Sequence, residues 1–407
     1  MNICLCFGYF PDKIEGKIVR DTKAYLQNSA NVLQKRFIEG ISSHFRKITI
    51  VNAPFVGYYG LKYRSIRVPS CYEHLKVDNA DIDIRSFSFN TLLWATHKER
   101  KIKCKREVQK WLKMNEGEHN AVVVYSLHMD FISACVELKE KHEFKLVVIV
   151  PDLPRYMNSS SKWYSRLHSK FNKLFAEDRT TKYSQIDAFV YLTEQMDKQI
   201  CRESKPYVVI EGIANVQNNT HVKATERKKY ILYTGTMAKK YGVLQLVEAF
   251  KLMRNNKDYK LCLCGSGDGV DEILQASQTY NIDYRGEILN RTALDLQKYA
   301  TLLVNPRPDE GEYTKYSFPS KVMEYFASGT PTIMHRLSGI PDEYYNYCFS
   351  FSGSDVGVMA SDMDEVIESS EQKRLALGDN ARLFVQTQKN PSKQCEKLIT
   401  LLDSLFC

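Results

Sequence analysis

The stretch SFPSKVMEYFASGTP, residues 317–331, sets a lysine and a glutamate three positions apart in a largely apolar run. Pro319 disfavours helical backbone at Phe318, so the predicted helix starts later, with Ser320 as its N-cap. Lys321 then falls in the first turn, where the helix dipole disfavours a cation. A bound anion removes that conflict, because helix amides and an ammonium together suit a phosphate. Glu324 shares a face with Lys321, and a carboxylate there can accept hydrogen bonds from a ribose diol. Ser328-Gly329 reads as the helix end, with Thr330-Pro331 opening the next strand. The competing reading is an ordinary surface ion pair on a packing helix.

Other candidates also follow predicted strands. In GTMAKKYG (235–242), Gly235 permits close backbone approach, Thr236 offers a hydroxyl and an amide, and Lys239 and Lys240 add charge. This is either a phosphate cradle or a plain turn with solvated lysines. GSGDG (265–269) lacks the G-x-G-x-x-G spacing of a dinucleotide fingerprint and reads as a tight turn. Arg307 follows TLLVNP (301–306). In the N-terminal half, Gly8, His128, Asp152 and Arg155 stand just after apolar runs.

The elements that position these residues are alternating strands and helices. NICLCF (2–7), KITIVNA (47–53), AVVVYS (121–126), KLVVIVP (145–151), AFVYLT (188–193) and YVVIEG (207–212) are apolar on both faces, as buried parallel strands are. Helical patterns such as 28–42 and 130–141 lie between them. Residues 54–90 break this rhythm and read as a long excursion facing an acceptor. A polar stretch, 214–229, has no apolar periodicity. The alternation then restarts, with strands at 230–235, 259–265, 282–286, 301–306 and 330–335 and helices at 243–254, 269–280, 291–299 and 320–328. Asn390-Pro391 reads as a cap and first turn of a last amphipathic helix. The predicted fold is α/β, with two doubly wound Rossmann-like domains facing an interdomain cleft. The expected boundaries are 1–212, a linker 213–229, a second domain 230–385, and a helix 386–407 packing back toward the first domain.

Composition narrows the partners. The 407 residues are 43% hydrophobic and 26% charged, as in a globular protein of two domains or more. No run of about 18 apolar residues suggests a membrane span, and MNICLCFGYF lacks the basic leader of a signal peptide. The formal charge of +9 favours an anionic partner, but the basic residues are mostly scattered and no nucleic-acid motif occurs. The eleven cysteines include Cys4, Cys6, Cys262 and Cys264 within apolar strands. Buried free thiols in a reducing compartment explain them better than a metal site. Two stretches, 97–113 and 162–175, are basic and aromatic together, including Trp111, Leu112, Trp163 and Phe171. Each is either a core stripe with solvated charges or a helix lying on an anionic membrane.

SFPSKVMEYFASGTP with the upstream VNPRP resembles the retaining glycosyltransferases of family 4, which have the GT-B fold. It is most similar to bacterial enzymes of capsule, exopolysaccharide or O-antigen assembly. The ordered motifs cover about 230–345, while 1–212 shares only the fold rhythm. The resemblance implies that Glu324 is the second glutamate of the E-x7-E motif and binds the donor ribose. It places Lys321 and the amides around Ser320 at the donor diphosphate. It matches Gly235 and Thr236 to the turn that meets the phosphates, Ile288 to the base-contacting loop, and His128 to a histidine against the donor sugar. Three positions depart from the family. Thr236 stands for an arginine, Tyr241 for a lysine (with Lys240 one place earlier), and Tyr316 for the first glutamate. Arg307 is then the expected source of the missing charge, and Glu310 or Glu312 of the sugar contacts.

The implied activity is transfer of a sugar from a nucleoside diphosphate sugar, UDP rather than GDP, to a hydroxyl of a growing lipid-linked glycan, with anomeric retention. Lys321, Arg307 and Lys240 would stabilise the leaving diphosphate, with no hydrolase-type carboxylate pair and no metal or other cofactor. Expected partners are the donor, the glycan acceptor and an anionic membrane surface, with no nucleic acid. The expected place is the cytoplasm, peripheral on the inner face of the membrane. The alternatives are a nucleotide-sugar epimerase of the same fold and a non-catalytic subunit of a polysaccharide synthase.

Overall fold

The computed structural model describes the chain except for residues 24–26, 78, 154–175, 201–202 and 215–225. It divides into two compact units, Met1–Ile213 with Pro391–Cys407, and Ala214–Asn390. Most of the expected linker, the stripe at 162–175 and Arg155 lie outside the described residues.

The first unit begins with β1 (Asn2–Phe7), α1 (Asp12–Asp21), α2 (Asn28–Ser42) and β2 (Lys47–Asn52). Short strands β3 (Arg67–Val68) and β6 (Phe89–Asn90) pair with each other and flank β4 (Cys71–Val77) and β5 (Ala80–Ser86). There follow α3 (Thr96–Met114), β7 (Asn120–Tyr125), α4 (Met129–Lys139), β8 (Lys145–Val150), α5 (Ala176–Ser184), β9 (Ala188–Tyr191) and β10 (Tyr207–Val209). The sheet order is β10-β9-β8-β7-β1-β2-β5-β4. All neighbours are parallel except β4 and β5. Its centre is apolar on both faces, with Cys4, Leu5, Val123, Val147 and Val148 fully buried. Each such side chain contributes about 1.5–3 kcal/mol if as large as valine or leucine.

The excursion expected at 54–90 is largely a sheet extension. β5 alternates buried and exposed residues, ADIDIRS, because one face of this outer region meets solvent. The basic stripe at 97–113 is the face of α3 turned inward. Cys104, Val108, Trp111 and Leu112 are buried, and only Ile102 of its large apolar residues within that stretch is exposed. That face therefore belongs to the core, which removes the membrane reading for it.

The second unit contains β11 (Lys228–Thr234), α6 (Val243–Leu252), β12 (Lys260–Cys264), α7 (Val270–Ser277), β13 (Ile282–Tyr284), α8 (Asn290–Tyr299) and β14 (Ala300–Asn305). It continues with α9 (Lys321–Ser328), β15 (Thr332–Met334), β16 (Phe349–Ser350), α10 (Val356–Glu368) and α11 (Glu371–Gln388). The sheet is parallel, in the order β13-β12-β11-β14-β15-β16. β11 starts inside the stretch read as linker, and α11 runs past 385, so both expected boundaries shift by a few residues.

The final helix, α12 (Pro391–Ser404), lies in the first unit. A Cβ on Gly40 of α2 would stand 2.2 Å from the Pro391 carbonyl oxygen and 2.4 Å from Cys395 Sγ, so the glycine lets α2 and α12 touch closely. Asn390 does not read only as a cap for this helix. Its side-chain amide donates back to the Gln386 carbonyl at 2.9 Å and the Thr387 carbonyl at 3.3 Å, satisfying acceptors at the end of α11.

Candidate active site

In a doubly wound sheet the loops after the strands gather at the carboxyl edge, where ligands are met. In the second unit this edge is knitted by backbone contacts. Gly235 N–H donates to the Cys264 carbonyl at 3.0 Å, and Gly265 N–H to the Gly286 carbonyl at 2.8 Å. Gly265 has φ +142°, and a Cβ on it would lie 1.8 Å from the Gly235 oxygen. A Cβ on Gly267 would meet Met237 backbone at 2.3 Å. The glycines of GSGDG thus serve close approach between two loops.

α9 is fixed to this edge by its tyrosine. Thr234, the last residue of β11, donates its N–H to Tyr325 Oη at 2.9 Å. Gln297 of α8, fully buried, donates from Nε2 to Thr234 Oγ1 at 3.0 Å and to Glu324 Oε2 at 3.3 Å. Lys321 Nζ donates to the same Glu324 oxygen at 2.7 Å. The pair is about a third exposed on each side. The ion pair exists, then, but it is anchored to the strand end beside Gly235 and Thr236. An isolated surface pair contributes only about 0–1 kcal/mol, so stability alone gives little reason for it.

The opposite face of α9 is conventional core. Val322, Met323 and Phe326 pack with Leu337, Tyr344 and Phe384. Gly329 ends the helix with φ +70°. Ser320 departs from expectation. It has helical backbone, φ −53° and ψ −25°, and its side chain makes no capping bond. The reason is that the Pro319 carbonyl already accepts from Val322 N–H at 3.0 Å, so the turn starts one residue earlier.

Arg307 sits after β14 with only 8% of its surface exposed. Its guanidinium lies 4.9 Å from the ring centre of Tyr313 and 5.5 Å from that of Tyr241. Nη1 reaches Ser317 Oγ at 3.5 Å, while Nε and Nη2 have no hydrogen-bond partner. Each buried donor left unmade costs about 1–3 kcal/mol, and a ring contact offsets about 0.5–2. Lys240 Nζ stands 5.0 Å from Tyr241 and 5.7 Å from Tyr313, on the same aromatic pair. Gly242, with φ +78°, lets this loop abut the other. A Cβ there would lie 2.1 Å from the Pro306 oxygen. Lys239, by contrast, is paired with Glu272 and its N–H donates to Asp268 Oδ1 at 2.8 Å.

The remaining candidates in this unit are spread along the same edge. Ile288 is half-buried after β13 and packs against the core cluster that includes Leu232 and Cys264. Tyr316 is half-buried at the end of a short 3-10 turn, Glu312–Tyr316, and Glu310 and Glu312 are exposed. Sequence reasoning did not find Gln297, Tyr325 or Tyr313. Gln297 and Tyr325 meet partners far away in the chain, and Tyr313 lies only six positions from Arg307 but in a turn whose spacing marks no contact.

In the first unit, His128 immediately precedes α4. Its ring stacks obliquely on Phe55, 4.2 Å between centres. The same phenyl ring leaves no room for a Cβ on Gly8, which would lie 2.2 Å away. Behind them Arg100 Nε stands 3.0 Å from Asp130 Oδ2, both residues being buried. The guanidinium lies between the rings of Phe131, Phe55 and Phe89, at 5.0, 5.4 and 5.5 Å. Burial pushes His128 down to about 4; Asp130 opposes this and Arg100 reinforces it. Burial would raise the Asp130 carboxyl, but Arg100 and His97 outweigh it and hold it well below the usual carboxylate range.

Residues 217–384 match the family Glycosyl transferases group 1. No curated protein matches the chain in sequence. Among solved structures, the chain is similar to sucrose-phosphate synthase from Thermosynechococcus elongatus, with a TM-score of 0.62 at 13% identity, covering 100% of this chain and 99% of that one. A trehalose-6-phosphate structure from E. coli bound with UDP-2-fluoro glucose gives 0.62 at 9%, covering 98% and 99%. The UDP-forming α,α-trehalose-phosphate synthase from Burkholderia xenovorans, in complex with glucose-6-phosphate, gives 0.62 at 10%, covering 99% and 100%. At these identities the likeness establishes the two-unit GT-B fold.

Proposed function

We propose that this chain, a nucleotide-sugar-dependent glycosyltransferase of GT-B fold whose second unit is a group 1 domain, transfers a sugar from a UDP-sugar to a hydroxyl of a growing lipid-linked glycan. The observation that carries the donor half is the anchored pair Lys321–Glu324 at the end of β11. Both bonds to Glu324 reach Oε2, which leaves Oε1 for a ribose hydroxyl. Lys321 has three donors and uses one on Glu324, so it can keep that bond and meet a phosphate as well. Arg307 brings two unmade donors on a rigid fork, the shape that takes phosphate in bidentate fashion. Lys240, Gly235 and Thr236 complete the phosphate side, and Ile288 borders the base. UDP is favoured over GDP because similar structures were solved with UDP-2-fluoro glucose or are UDP-forming.

The chemistry asks little of any single side chain. As the glycosidic bond breaks, negative charge grows on the leaving diphosphate, and the cations and helix amides lower its energy. The acceptor attacks on the leaving-group face, and a phosphate oxygen takes its proton, so configuration is retained. No metal is required in this scheme because side-chain cations balance the diphosphate. The setting proposed is cell-surface polysaccharide assembly at the inner face of the cytoplasmic membrane.

The test is calorimetric titration with UDP and GDP, followed by transfer from a panel of radiolabelled UDP-sugars to a bacterial lipid extract. Micromolar UDP binding and a labelled, alkali-stable lipid product are expected. Absence of nucleotide binding overturns the donor assignment. Conversion of the free UDP-sugar without acceptor would instead identify an epimerase.

A further inference from the structure

We propose that one corner of the first unit, built on residues 58–67 and 89–95, docks the protein on an anionic lipid bilayer. Trp94 is 82% exposed, far more than any other described tryptophan, and Leu93, Leu61, Ile66 and Tyr59 are exposed with it. Scattered exposed apolar residues are ordinary, but these five lie on stretches bonded to one another. Tyr59 N–H donates to the Thr91 carbonyl at 2.9 Å, and Thr91 N–H to the Ile66 carbonyl at 2.8 Å. Thr91 Oγ1 donates to the Ser65 carbonyl at 2.6 Å. The β3–β6 pair, Arg67 opposite Asn90, closes the arrangement. The apolar group is thus held on a fixed backbone frame.

The charges around it select the partner. Lys62 and Arg64 are exposed within the frame, and Lys98 follows in the first turn of α3. The end of α1 joins from the other side. Lys23 N–H donates to the Lys62 carbonyl at 2.9 Å and Arg64 N–H to the Asp21 carbonyl at 2.7 Å, bringing exposed Arg20 and Lys23 near. Two acids lie among these cations. Asp21 accepts from Ser65 Oγ at 2.6 Å and keeps its charge, since a hydroxyl donor carries none. Glu99 is shared by Arg67 and Lys103 at 3.0 and 2.7 Å. An exposed indole and leucines ringed by cations match a surface with anionic headgroups over an apolar interior, where tryptophan settles at the boundary. Apolar contact alone would suit another protein; the excess of exposed cations, Arg20, Lys23, Lys62, Arg64 and Lys98 against Asp21, favours the bilayer.

This surface gains its use from a lipid-linked acceptor, and in that respect rests on the proposed function, but its residues take no part in donor binding. Flotation with vesicles of phosphatidylcholine, with and without phosphatidylglycerol, tests it on the full chain. Binding is expected only with phosphatidylglycerol, weakening as salt shortens the screening length to below about 10 Å, with a blue shift of tryptophan emission. Leu93→Ser with Trp94→Ser should weaken binding roughly tenfold and abolish the shift, as loss of a buried aromatic would. Both residues are exposed, so the melting temperature should stay. If it falls, Lys62→Glu with Arg64→Glu gives the same reading through charge. UDP affinity should be unchanged in every variant, so loss of vesicle binding with UDP binding intact bears on this surface alone. No flotation of the unaltered chain, equal flotation of the variants, or a concentration-dependent dimer lost in the variants overturns the proposal.

Discussion

The two units end their sheets in opposite electrostatic states. At the edge of the first, Arg100 and Asp130 have each other, sealed under three phenyl rings. At the edge of the second, Arg307 has rings and, among the described residues, no ion pair, with Asp309 near enough only to feel its charge, and Lys321 shares a carboxylate that is itself a third exposed. A charge that already has its buried partner contributes to shape. A charge held in place without one is available to a ligand. The difference is between a buried ion pair and cations without one, and it is the reason the second edge is the one proposed to take the donor.

Substitutions at the two edges should therefore fail in different assays. The largest effect is expected from Asp130→Ala, which strands the buried Arg100 guanidinium and should lower unfolding free energy by about 3–5 kcal/mol in denaturant titrations. An unchanged midpoint would break the contrast. Lys321→Ala should leave that midpoint nearly alone but weaken UDP binding by about 1.5–3 kcal/mol and cripple transfer. Glu324→Gln keeps the helix and its size; UDP affinity should fall by about 0.5–1.5 kcal/mol, read by the same titration, and an unfolded variant would mean the pair is structural.

A subtler sign of the contrast lies in pH. His128 is held near 4 in the folded chain against about 6.5 when unfolded. Above about pH 6.5 it is neutral in both states and costs nothing. As pH falls from there toward 4, the unfolded chain takes the proton first, so stability declines. His128→Asn should flatten unfolding free energy against pH in that window, while the decline caused by Asp130 at more acid pH remains. The smallest effect expected is none at all: excess EDTA should leave transfer unchanged, and a loss restored by magnesium or manganese would refute the metal-free scheme.

Much of this architecture is readable from local pattern. Continuous apolar runs mark the central strands, because both faces of a parallel sheet are covered. The same criterion overlooks β4 and β5: ADIDIRS alternates because one face meets solvent, and in CYEHLKV, at the sheet edge, only Glu73 is buried. At the site, Lys321 and Glu324 stand out because three residues is a helical spacing. Gln297 bridges to Glu324 from 27 positions away and Tyr325 to Thr234 from 91, and nothing local encodes either contact. The basic stripe of α3 looked two-sided for a related reason. A helix with lysines flanking an apolar face reads the same whether that face meets lipid or its own sheet.

The return of α12 to the first unit has a consequence for how the polypeptide is made. The second unit is continuous, Ala214–Asn390, while the first needs Pro391–Cys407 to cover α2. During synthesis, the part made first must therefore wait with that helix face bare until the last helix is available. A chain cut before residue 391 keeps every residue of the second unit but leaves the first without the helix that covers α2.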